Sequence, residues 1–109
     1  MKRNAKAIWK GSGPEGTGTL TTQSGALADL PYSAKLRFQN EDGKAGTNPE
    51  ELIAAAHAGC FSMAFSFALA QAGFPPQSVQ TSAAVKLEAA PGGGFQITGI
   101  DLKIGRAHV

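Results

Sequence analysis

The run from Leu52 to Ala72 constrains this chain most, because it is almost all apolar and both of its ends are marked. Thr47-Asn48-Pro49-Glu50-Glu51 offers a cap, a first-turn proline and two acids set against the positive end of a helix. Thr47 with Glu50 also fits the capping-box spacing. Gly73, followed by Pro75-Pro76, stops the run. At about 1.5 Å per residue the helix is roughly 35–40 Å long. It is apolar all round, so it requires cover on most sides. A chain of 109 residues has room for one domain with one core. The cover must therefore come from strands or from a second subunit.

Strand signals lie on both sides of this helix. Lys2 to Lys10 alternates weakly, Gly11 to Gly16 is turn material, and Gly18 to Thr22 is rich in β-branched residues. Pro31 opens a third run, which predicts a strand with Tyr32, Ala34, Leu36 and Phe38 on one face and Ser33, Lys35 and Arg37 on the other. Asn40 to Gly46 is a polar loop. After the helix, Val79 to Ala89 alternates, Pro91-Gly92-Gly93-Gly94 makes a loose hairpin turn, and Phe95 to Lys103 alternates again. Phe95, Ile97, Ile100 and Leu102 share a face only if a bulge falls near Gly99. The order βββ-α-ββ predicts an α+β domain with a mostly antiparallel sheet wrapped on a long buried central helix.

Composition removes several function classes. Apolar residues make up 42% of the chain, which is a globular rather than a disordered balance. Net charge is +2, and the early basic residues Lys2, Arg3, Lys6 and Lys10 are too sparse for a nucleic-acid footprint. Asn4-Ala5-Lys6 stands where the apolar core of a signal peptide would begin. The longest apolar stretch, Cys60 to Ala70, carries serines and is too short to span a bilayer. The expectation is a cytoplasmic protein that binds neither nucleic acid nor membrane. A single cysteine makes no internal disulfide and stays a thiol in a reducing compartment.

That cysteine, Cys60, lies on the apolar helix. A helical cysteine is most often a small buried hydrophobe. Three features point instead to reactivity. His57 lies three residues earlier on the same face. Gly59 costs roughly 1 kcal/mol against alanine in a helix, which suggests a close approach there. Ala54, Ala55, Ala56 and Ala58 leave room for a second helix or a substrate. His57 has two open readings, a satisfied surface or interface histidine and a group acting near the thiol. One cysteine and one histidine do not complete a zinc set, and the three glycines after Pro91 are not followed by a phosphate-loop lysine, so no metal or cofactor is expected.

A thiolate needs a nearby positive charge, for which Arg37 is a candidate. An arginine in such a place needs a carboxylate clamp, for which Glu50 is a candidate. Glu50 lies ten residues from Cys60, hence about 15 Å along the same helix. It cannot reach its own thiol, but it reaches that of a second chain if two such helices pack antiparallel across a two-fold axis. The other role for Glu50 is the helix cap.

The stretch from Gly46 through Cys60 to Ala64, with Trp9, the Tyr32 to Phe38 run containing Arg37, and the Gly73-Phe74-Pro75 exit, resembles the OsmC/Ohr superfamily, its osmotically inducible protein C branch most closely. The resemblance implies an intertwined homodimer with its active sites at the subunit interface. It implies a thiol-dependent peroxidase that reduces organic hydroperoxides and serves in defence against oxidative or osmotic stress. It places the peroxidatic role on Cys60, the thiol-activating arginine on Arg37 and the carboxylate that holds it on Glu50. The family's second cysteine, which resolves the sulfenic acid, has no counterpart here, so turnover requires an external thiol or dithiol reductant. Two other readings remain: a non-catalytic dimeric member that binds a small molecule or lipid, and an inactive fragment lacking the resolving cysteine.

The chain ends in Ile104-Gly105-Arg106-Ala107-His108-Val109. This hexapeptide matches, in one reading frame, the translation of a common sequencing adapter. The expectation is a peroxidase domain over residues 1–103, incomplete at its C-terminus, followed by a non-native tail over 104–109.

Overall fold

The computed structural model describes residues 1–108. They fall into two compact units, one spanning Met1–Pro49 and the other beginning at Glu50.

In the first unit, β1 (Ala5–Lys10), β2 (Thr17–Thr22) and β3 (Leu30–Ser33) form an antiparallel sheet in the order β1-β2-β3. Thr22 and Leu27 close the β2–β3 connection. The Thr22 N–H donates to the Leu27 carbonyl at 2.9 Å, and the Leu27 N–H donates to the Thr22 hydroxyl at 3.0 Å.

The third run does not continue as a strand to Phe38, as its alternation predicts. β3 ends at Ser33, and a short helix, α1 (Ala34–Phe38), follows. The pairing with β2 runs out where Ser33 faces Thr17. The Ser33 hydroxyl then caps the new helix, accepting the Leu36 N–H at 3.0 Å. Alanine, lysine, leucine and arginine are good helix formers, and Lys35 and Arg37 sit near the negative helix end. Arg37 is therefore a helical residue and not one on the polar face of a strand.

The long helix, α2, spans Pro49–Gln71. It starts one residue later than the Thr47–Glu50 capping box requires: Pro49 is the first helical residue, and the Thr47 hydroxyl donates to the Asn48 carbonyl at 3.5 Å. Its far end closes as expected. Gly73 takes a φ of 94°, which glycine adopts without strain. The Gly73 N–H donates to the Ala70 carbonyl at 3.1 Å and the Phe74 N–H to the Leu69 carbonyl at 2.8 Å, a Schellman closure.

β4 (Ser78–Ala89) and β5 (Phe95–His108) form an antiparallel hairpin. The bulge expected near Gly99 is present: Lys86 pairs with Gly99 and Leu87 with Ile97, leaving Thr98 as the extra residue. That shift brings Ala89, Leu87, Val85 and Ala83 opposite Phe95, Ile97, Ile100 and Leu102, so the predicted face forms. Ile104 to His108, expected to be foreign to the protein, extend β5 against Ser78 to Thr81, with a second register shift that leaves Gly105 as an extra residue. Val109, the last residue of that tail, lies outside the described residues.

The α+β class and the antiparallel pairing agree with the sequence reading, and the strands of this chain alone leave α2 uncovered. Among the described residues no apolar side chain is buried. Met63 and Phe67 of α2 are 63% and 65% exposed, and Phe95, Ile97 and Ile100 of the hairpin are also open. The sheet that was to wrap the helix is two separate sheets, three-stranded and two-stranded. A two-stranded hairpin has too little surface to surround a helix of 23 residues. Within the second unit, the Ser62 hydroxyl on α2 donates to the Thr81 hydroxyl on β4 at 2.8 Å.

Candidate active site

Cys60 is a free, exposed thiol in the middle of α2. The 3.6-residue period divides this helix unevenly. Ala54, Ala58, Phe61, Ser62, Phe65 and Leu69 are half-buried and lie along one face. Ile53, His57, Cys60, Met63 and Phe67 are exposed along another. The thiol thus sits in an uncovered apolar stripe with His57 one turn before it. The close approach expected at Gly59 is not found within this chain: a Cβ built there meets nothing within 4 Å.

Glu50 stands in the first turn of α2 and is the one charged residue buried among those described, at 9% exposure. The N-terminal end of a helix favours a carboxylate, which offsets part of the cost of burying it. The helix holds Glu50 and Cys60 about 15 Å apart along its axis, so this chain does not bring them together.

Arg37 belongs to the first unit. It lies in the last turn of α1 with its guanidinium carbon 5.1 Å from the centre of the Phe38 ring. It lines an open cleft of about 620 Å³, whose other walls include Trp9, Pro14, Tyr32, Phe38 and Pro49. The Trp9 and Tyr32 rings meet at 5.2 Å between centroids with 50° between their planes. The sequence reading did not assign these two rings to a site. The available signal was the pair Gly16 and Gly18, two bare positions one strand period apart. A Cβ at Gly16 would collide with the Trp9 indole, and one at Gly18 with the Ile8 carbonyl and the Tyr32 ring. Among the described residues no group of three or more His, Cys, Asp or Glu is placed to hold a metal ion. The second unit thus carries the Cys60 thiol and the buried Glu50 carboxylate on one helix, and the first unit carries the Arg37 cation beside an apolar cleft.

Residues 41–106 match the family model described as OsmC-like protein. Over 103 residues the chain is 50% identical to Peroxiredoxin OsmC of Escherichia coli K12, covering 94% of this chain and 69% of that protein. Peroxiredoxin OsmC of Shigella flexneri matches to the same extent. Among solved structures, the organic hydroperoxide resistance protein OhrB of Bacillus subtilis is similar with a TM-score of 0.65 and 30% identity, over 93% of this chain and 70% of that one. An organic hydroperoxide resistance protein OsmC from Legionella pneumophila is similar with a TM-score of 0.64 and 28% identity, over 97% of this chain and 72% of that one.

Proposed function

The chain belongs to the OsmC-like protein family, and from that premise we propose that it is a thiol-dependent peroxidase that reduces organic hydroperoxides at Cys60. The observation that carries the assignment to this residue is that the only cysteine of the chain is a free, exposed thiol at the centre of α2. Relatives named for peroxiredoxin activity and for organic hydroperoxide resistance support the reaction class.

In this reading the Cys60 thiolate attacks one oxygen of the R–O–O–H group. The O–O bond breaks, the other oxygen leaves as the alcohol after taking a proton, and Cys60 becomes a sulfenic acid. Arg37 is the cation that favours the thiolate and the departing oxygen. Glu50 is the carboxylate that orients the guanidinium. An external thiol then condenses with the sulfenic acid, releasing water and forming a mixed disulfide. A second thiol, or the other arm of a dithiol, frees Cys60. The 109 residues hold no second cysteine to form that disulfide internally.

A homodimer belongs to the same proposal. Its support is the uncovered stripe of Ile53, Met63 and Phe67 around Cys60, together with the distance that keeps Glu50 from the thiol of its own helix. α2 is long and apolar enough to cross a membrane by length and composition alone. We read it instead as the core helix of a cytoplasmic enzyme, supplied there with reducing thiols. Residues 1–103 carry the peroxidase domain in this reading, and 104–109 are a non-native tail.

The test is a stoichiometric reaction of the purified chain with an organic hydroperoxide in the presence of a sulfenic-acid trap, followed by mass spectrometry. The trap should label Cys60 and no residue of the Cys60→Ser chain. A reaction no faster than that of free cysteine would overturn the assignment.

A further inference from the structure

We infer that Met63 is a second peroxide-sensitive sulfur of this chain, and that its oxidation to the sulfoxide loosens the pairing of two chains. The second half rests on the homodimer read above, whose support includes the stripe in which Met63 stands.

Position is the first support. Met63 lies three residues after Cys60 on α2, and side chains at that spacing are neighbours on a helix surface, with Cβ atoms about 5–6 Å apart. An oxidant that comes to the thiol comes to the thioether as well. Access is the second. Met63 is 63% exposed. Gly59, four residues before it, carries no side chain, and the place where a Cβ would stand has nothing within 4 Å.

The chemistry needs only the peroxide. The thioether sulfur gives an electron pair to one peroxide oxygen, so that an S–O bond forms and the O–O bond breaks. The other oxygen keeps the pair of the broken bond, takes the proton that the transferred oxygen gives up, and leaves as water or as the alcohol. The sulfur is oxidised by two electrons and the peroxide is reduced by the same two. The product is a polar, chiral side chain in place of a flexible apolar one. In the stripe of Ile53, Met63 and Phe67 it sets an acceptor where a second chain would bring apolar surface, and burying an unpaired polar group is costly. A two-fold interface meets that cost in both chains. The same interface shields the thioether, so pairing and oxidation oppose each other. The sulfoxide is reducible by enzymes of its own, unlike the sulfinic acid of a cysteine outside one specialised case, so the effect can be reset.

Met1, 105% exposed, is the only other methionine and serves as an internal reference. The Cys60→Ser chain, which has no thiol to oxidise, is treated with hydrogen peroxide, and the sulfoxide at each methionine is followed by peptide mass spectrometry. In dilute protein Met63 should oxidise within about threefold of the rate of Met1. At concentrations that favour the dimer it should slow at least about tenfold against Met1. Sedimentation velocity on the same protein should show pairing weakened about tenfold by the sulfoxide, and methionine sulfoxide reductases with a dithiol should restore it. Met63→Leu should pair like its parent and be indifferent to peroxide. Oxidation of Met63 more than about tenfold slower than that of Met1 in dilute protein overturns the inference. So does a dimer equally strong with and without the sulfoxide, which leaves the homodimer itself standing. A chain that is monomeric at every concentration before treatment overturns the homodimer and the second half of the inference, whereas the rates at Met63 and Met1 still decide the first.

Discussion

Trp9 of β1 and Tyr32 of β3 are not neighbours in the sheet, yet their rings meet at 5.2 Å, because both residues pair with Gly18 of the strand between them. Gly18 is the gap across which the two rings touch. Gly18→Ala should therefore destabilise the chain by about 1–3 kcal/mol through overpacking. Urea unfolding followed by Trp9 emission measures this. An unchanged midpoint and an unchanged emission maximum would show that the rings do not depend on the bare backbone.

Arg37 and Glu50 are proposed to act on Cys60 through charge. Arg37→Met should slow sulfenic acid formation at least about tenfold at pH 7, as expected for losing about 1.4 kcal/mol of transition-state stabilisation. Glu50→Gln should act in the same direction, because an unclamped guanidinium spends less time in place. Stopped-flow measurement with an organic hydroperoxide checks both variants. A rate for Arg37→Met equal to that of the unmodified chain would remove Arg37 from the reaction.

The stripe around Cys60 should drive self-association. Sedimentation velocity across a range of concentrations should show a monomer–dimer equilibrium for the unmodified chain. Phe67→Asp, at a position 65% exposed in the single chain, should weaken it about 30-fold, as expected for losing an interface anchor worth about 2 kcal/mol. Equal behaviour of the two chains would remove Phe67 from the interface.

Without a second thiol in the chain, the sulfenic acid on Cys60 stands exposed to further oxidant. Excess hydroperoxide in the absence of reductant should carry Cys60 to the sulfinic acid within the same experiment. A small dithiol added beforehand should prevent it and restore turnover. Intact-mass spectrometry distinguishes the two oxidation states. Persistence of the sulfenic acid under excess peroxide would point to protection by the surrounding helix face.

Several features follow from local chemistry and were legible in the chain itself. The ends of α2 are marked by Pro49 and by Gly73, residues whose backbone preferences act without reference to the rest of the molecule. The bulge at Thr98 follows from apolar residues that cannot share a face without it. Cys60, as the only cysteine, drew attention by its neighbours alone. The segment Tyr32 to Phe38 shows where local reading stops. Its apolar residues alternate like those of a strand, and Ser33 is equally a helix cap. The choice fell to α1 because β2 begins at Thr17, so only the bond from the Ala34 N–H to the Gly16 carbonyl continues past it, while Ser33 caps the helix.

The amino-acid sequence by itself determined every element but α1, the antiparallel α+β class and a reactive-cysteine motif, because each depends on contacts between near neighbours or on residue type. Only the tertiary structure decided that Trp9, Tyr32 and Arg37 line one cleft, since that required β1 to meet β3 and α1, which lie far along the chain from it. It also decided that one chain leaves the apolar faces of α2 and the β4–β5 hairpin uncovered. Periodicity states which face must be covered. Whether enough surface exists within one chain to cover it depends on how the strands divide into sheets, and here they divide three and two.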